Sequence, residues 1–100
     1  MVSYNKLVRD RIPEILNAKG IAYEKRIAST EEYKAELTKK LQEEAAEFAE
    51  AGDAAELADA LEVVEALKRL PEYADVERIR LEKREERGGF EERIILKGEK

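Results

Sequence analysis

The stretch Glu43-Glu44-Ala45-Ala46-Glu47-Phe48-Ala49-Glu50-Ala51-Gly52-Asp53-Ala54-Ala55-Glu56-Leu57-Ala58-Asp59 decides the fold. At its centre Gly52 ends one helix and Asp53 caps the next. The pattern predicts a long helix over about 30–51 and a second over about 54–70, stopped by Pro71. A two-residue break makes the two helices an antiparallel hairpin.

Outward from the hairpin, Ser29 and Glu32 fit a capping box that opens the long helix. Further upstream, Asp10 can cap a short first helix with Pro13 in its first turn. Ile12, Ile15 and Leu16 give that helix an apolar stripe, and Gly20 stops it. Ile21, Tyr23, Lys25 and Ile27 then alternate with Ala22, Glu24 and Arg26, which reads as a strand. Downstream, a third helix over about 72–87 ends at Gly88-Gly89. Phe90 to Leu96 reads as a closing strand paired with the first. The expected fold is mainly α, centred on the helical hairpin, with a small two-stranded β element. One domain is expected over residues 1–100.

Composition narrows the chemistry. Charged residues make up 43% of the chain, against a usual level of about a quarter, which suits solvated helices. The hydrophobic share is ordinary, so a folded chain is expected. A net charge of −5 argues against binding a nucleic-acid polymer, which needs a basic face. There is no Cys and no His. Any metal must therefore be held by oxygen, which favours Mg²⁺, Mn²⁺ or Ca²⁺. Any general base is a carboxylate, a Lys or a Tyr. No apolar span or signal peptide is visible, so a soluble, cytoplasmic protein with no membrane partner is expected. A chain of 100 residues buries a modest core, which makes association with a second copy reasonable.

The acids of the hairpin carry the functional signal. Glu44 and Glu47 lie three residues apart and share a helical face, as do Glu56 and Asp59. Positions equidistant from an antiparallel turn lie side by side. Glu44 should therefore face Asp59, and Glu47 should face Glu56. Leu37, Leu41, Glu44 and Phe48 form one stripe, so Glu44 occupies a position where an apolar residue is expected. Glu56 leads toward Ala60, Val63 and Leu67, with Asp59 beside them. Four converging, partly buried carboxylates repel one another. Either some are protonated or a cation neutralises them, and a hard divalent ion is the simplest answer. Mg²⁺ commonly binds substrate phosphates as well as carboxylates, which points to phosphate chemistry. The bland alternative stands beside this reading. Helical glutamates usually form a solvated face, and Glu56 also fits the third position of a capping box with Asp53. Glu50, Glu62 and Glu65 read as surface residues.

Glu43-Glu44-Ala45-Ala46-Glu47 followed by Glu56-Leu57-Ala58-Asp59 resembles the E-E-x-x-E and E-x-x-D pattern of the all-α, MazG-like NTP pyrophosphohydrolases. The opening Lys6-Leu7-Val8-Arg9-Asp10-Arg11-Ile12-Pro13 and the closing Arg84-Glu85-Glu86-Arg87-Gly88-Gly89-Phe90 resemble one branch of that superfamily. Its members are described as house-cleaning enzymes or as phosphoribosyl-ATP pyrophosphohydrolase-like. The resemblance spans nearly the whole chain. The chain departs from the wider superfamily in its short segment 48–55 between the two acid pairs, where longer relatives make substrate contacts. The resemblance implies that Glu44, Glu47, Glu56 and Asp59 hold Mg²⁺, with Mn²⁺ as a substitute. Glu43 and Glu44 would be catalytic, with Glu43 orienting a water or a second ion. The implied reaction is water attack at the α-phosphorus of a nucleoside triphosphate, releasing a nucleoside monophosphate and pyrophosphate. Non-canonical triphosphates are the implied substrates, and a homodimer or homotetramer is implied.

Cations should meet the triphosphate, Arg through bidentate contacts and Lys as a point charge. The candidates are Lys83, Arg84 and Arg87, with Lys6 and Arg9 near the start. Basic residues at a helix C-terminus also simply answer its dipole. Gly88-Gly89 could let backbone approach a ligand, although it is first a helix stop. Phe90 or Tyr4 could stack on a base, although Phe90 also suits a core. Two other functions compete. One is a phosphoribosyl-ATP pyrophosphohydrolase of histidine biosynthesis. The other is a non-catalytic helical self-assembly module using the Leu37/Leu41/Phe48 and Leu57/Leu61/Val64 stripes.

Overall fold

A computed structural model describes residues 5–99. Its chain order is α1 (Ile12–Ala18), α2 (Thr30–Ala51), α3 (Ala54–Lys68), a 3-10 turn (Pro71–Tyr73) and α4 (Val76–Arg87). The fold is all-helical among the described residues. No described helix is long and apolar enough to cross a membrane. The chain divides into two compact units, residues 1–67 and 68–100. The first contains α1, α2 and nearly all of α3. The second contains the 3-10 turn, α4 and the segment after it.

The ends of the hairpin helices follow from local chemistry. Ser29 Oγ accepts a hydrogen bond from the Glu32 N–H at 3.2 Å, as an N-cap should. The Glu32 carboxylate does not complete the box. Arg26 grips it with both guanidinium nitrogens, at 2.5 and 2.7 Å. A bidentate charged pair outcompetes a single neutral backbone donor. At the far end Gly52 takes φ 67° and donates to Phe48 O at 2.7 Å, in the left-handed region that favours glycine. Asp53 Oδ1 then accepts from the Glu56 N–H at 2.9 Å and caps α3.

The flanking elements depart from expectation in instructive ways. The N-cap of α1 is Arg11, without a side-chain bond, and not Asp10. Pro13 falls in the first turn, where a missing N–H leaves no intrahelical bond unmade. The end of α1 is a Schellman motif: Gly20 N–H donates to Asn17 O, and Ile21 N–H to Leu16 O. The second hairpin helix stops at Lys68, two residues early. Leu70 precedes Pro71 and takes ψ 137°, because a residue before proline is pushed out of the α region. The third helix of the sequence reading therefore begins as a 3-10 turn and becomes α-helical only from Val76.

The two expected strands are absent among the described residues: 21–29 and 93–99 have no regular structure. A period-two pattern marks two faces, but a strand exists only when a partner satisfies its backbone groups. Segment 21–27 belongs to the first unit and 90–96 to the second, and neither unit supplies that partner. Apart from the half-buried Tyr23, the large apolar residues of both are correspondingly open, with Ile27 92% and Phe90 97% exposed.

In the first unit the core lies along the inner faces of the hairpin. Leu37 on α2 and Val63 on α3 are buried. Replacing Gly52 with Ala should cost about 1–2 kcal/mol, from backbone strain alone, since a Cβ there meets nothing within 4 Å. Leu37→Ala should cost about 2–5 kcal/mol. Urea unfolding of both variants checks the pair; a neutral Gly52→Ala would mean the reversal does not need its left-handed residue.

Candidate metal centre

Glu44 is placed by the stripe that runs along α2. Leu37 is buried, Lys40, Leu41 and Phe48 are half-buried, and Glu44 itself is only 9% exposed. A turn later and further from the core, Glu47 is exposed. On α3 the half-buried Glu56, Asp59 and Ala60 lead to the buried Val63. Single carboxylate oxygens of Glu44, Glu56 and Asp59 lie within 4.8 Å of one another. The tight reversal thus brings together three of the four expected acids. Glu47, the fourth, lies close enough to act on both Glu44 and Glu56 by its charge and by side-chain hydrogen bonding.

The cluster is electrostatically unsatisfied. Glu44 Oε2 and Glu56 Oε2 are buried without a hydrogen-bond partner. Burial pushes the Glu44 carboxyl above the usual carboxylate range. The charges of Glu47 and Asp59 push it further, against the opposing Lys40. That lysine is a weak counter-ion, with Nζ 3.9 Å from Glu44 Oε1. Glu56 is raised first by burial, then by Glu47, Asp59 and Asp53. Two orphaned, buried anionic oxygens beside a third carboxylate fit a hard cation.

The remaining sequence candidates fall in different places. Arg9 is brought directly to the cluster: its Nη2 donates to Asp59 Oδ1 at 2.6 Å. Lys6 and Leu7 line a small cleft with Glu36, Lys39, Lys40 and Glu43. The expected fifth acid, Glu43, is exposed and belongs to this cleft rather than to the trio. Its neighbours Lys39 and Lys40 were missed by sequence reading, because a Lys-Lys pair inside a charged helix carries no signal of its own. Lys83, Arg84 and Arg87 lie exposed on α4, in the second unit. There Arg84 Nη2 donates to Glu91 Oε1 at 2.7 Å. Gly88 ends α4 by donating to Arg84 O. Tyr4 lies outside the described residues. No family model matches the chain, and neither a curated protein nor a solved structure matches it.

Both raised carboxyls hold a proton more readily folded than unfolded. Their contribution to stability is complete below the ordinary carboxylate range and is lost as pH rises through their folded values. Glu32, Glu77 and Glu91, lowered by their arginine partners, act in the opposite sense, but only at and below the ordinary range. The metal-free protein should therefore become more heat-stable as pH falls from neutral toward the ordinary carboxylate range, and Glu44→Gln should flatten that slope. Thermal melts in a chelator across this interval check it. Parallel curves for the two proteins would remove Glu44 from the effect.

Proposed function

We propose that the hairpin cluster is the divalent-metal centre of a Mg²⁺-dependent nucleoside triphosphate pyrophosphohydrolase. The observation that carries this reading is Glu44: an acid in a core position, nine-tenths buried, with one oxygen unpartnered and two further carboxylates within reach. A helix that served only packing or assembly would gain stability from Leu or Ala there. Natural sequences keep such an unfavourable arrangement where function requires it. The resemblance to the MazG-like superfamily supports the same reading, because the clustered acids are those its motifs name.

In this reading Glu44, Glu47, Glu56 and Asp59 hold the ion. The bound ion would stabilise charge on the phosphate oxygens and make a bound water more acidic. The chain's own contribution is to fix the carboxylates on two rigid helices, so that little reorganisation accompanies the reaction. Water adds to the α-phosphorus, the bond to the bridging oxygen breaks, and nucleoside monophosphate and pyrophosphate leave. Glu43, one residue from the cluster, would orient a water from the cleft side. Lys6 and Arg9 are the cations of the same unit assigned to phosphate. The reading includes a cytoplasmic protein that clears non-canonical triphosphates.

Self-association belongs to the proposal as a homodimer or homotetramer. Leu57 and Leu61, four residues apart on α3, are both exposed, which favours a second helical surface against them. The expected β element would require an edge that neither unit supplies by itself.

A screen of purified protein against many triphosphates with Mg²⁺, reading pyrophosphate release, tests the activity; phosphoribosyl-ATP in the same panel tests the histidine-pathway alternative. Glu44→Gln and Asp59→Asn should each lower turnover by at least about a hundredfold, while circular dichroism shows the helices intact. Full activity in either variant would refute the assignment.

A further inference from the structure

Arg9 and Asp59 are distant in sequence, yet their side chains meet at 2.6 Å. Asp59 is also a member of the carboxylate trio. The same side chain is thus claimed by a guanidinium in the structure and by a divalent ion in the reading above. Both are cations, and an oxygen tied to one is a poorer ligand for the other. The pair is accessible, with the two side chains 56% and 43% exposed, so exchange does not require the core to open. Arg9 is itself exposed and precedes α1, so its side chain can turn from Asp59 while its backbone stays in place. Glu44 and Glu56 have no such partner at their buried oxygens. The arginine therefore neutralises only the outermost ligand and leaves the inner pair unsatisfied.

We propose that Arg9 is a resident counter-ion that couples metal binding to polyphosphate binding. Without nucleotide it holds Asp59 and weakens the hold on a divalent ion. When a polyphosphate arrives with the ion, the guanidinium transfers to phosphate oxygens and Asp59 turns to the metal. Phosphate is the stronger partner, because it offers several charged oxygens in a bidentate geometry. Metal and triphosphate then bind with positive cooperativity, and by linkage each tightens the other by the same factor. The inference rests on the metal-centre reading, and it adds a role that a passive phosphate contact would not have.

Mn²⁺ titration of the full chain, followed by electron paramagnetic resonance, tests it. Arg9→Gln should bind Mn²⁺ alone about two- to fivefold more tightly than the parent protein, the range expected when an exposed ion pair is removed. With an α,β-methylene triphosphate present, the order should reverse. Arg9→Gln should then bind the nucleotide about tenfold more weakly or worse, and Arg9→Lys should restore part of the loss. Asp59→Asn breaks the same ion pair from its other end but should weaken Mn²⁺ binding in both conditions. An ion pair with a purely structural role would make the two variants shift together. Unchanged or weaker binding of Mn²⁺ alone by Arg9→Gln overturns the inference while leaving the metal centre standing. Parent-like Mn²⁺ binding by both Glu44→Gln and Asp59→Asn overturns both.

Discussion

Repulsion among carboxylates held on two short-linked helices is the constraint on which the site depends. Gly52 and Asp53 reverse the chain in two residues, and each does so through a specific local bond. With so short a break the helices have no freedom to slide past one another. Residues equidistant from the turn must become neighbours, and here those residues are acids. The backbone therefore imposes a proximity that the side chains, left to themselves, would avoid.

The consequence is a helical hairpin that gives up stability where its acids converge. Leu37 and Val63 are buried in the first unit, and Glu44 occupies an equally sheltered position. A leucine at 44 would add apolar burial and remove an orphaned charge. The raised proton affinities of Glu44 and Glu56 are the electrostatic expression of that conflict. Either a proton or a cation would relieve it, and binding of a cation would then add to the stability of the fold.

The segment before α1 adds a second layer. Lys6 and Leu7 reach the cleft beside α2, and Arg9 reaches Asp59 on α3. A stretch without regular structure thus brings two cations to a strongly acidic pair of helices. Charge complementarity adds to the half-burial of Leu7 and Val8 in holding it there. The contact of Arg9 with Asp59 is one between exposed charges, with the two side chains 56% and 43% exposed.

The sequence alone determined what local bonds and short spacing control. The reversal at Gly52-Asp53, the caps at Ser29 and Asp53, the stripe from Leu37 to Phe48 and the meeting of Glu44 with Asp59 are set by neighbours within a few turns. Only tertiary structure could decide what depends on distant partners. It left segments 21–27 and 90–96 without strand structure, because alternation cannot supply the missing ladder. It drew Glu32 to Arg26 rather than back to its own helix end. It separated Glu43 from the trio by the angle of one residue around α2. It carried Arg9 to Asp59, a pairing that no periodicity encodes, since long-range charge contacts leave no local pattern in a chain so rich in both signs.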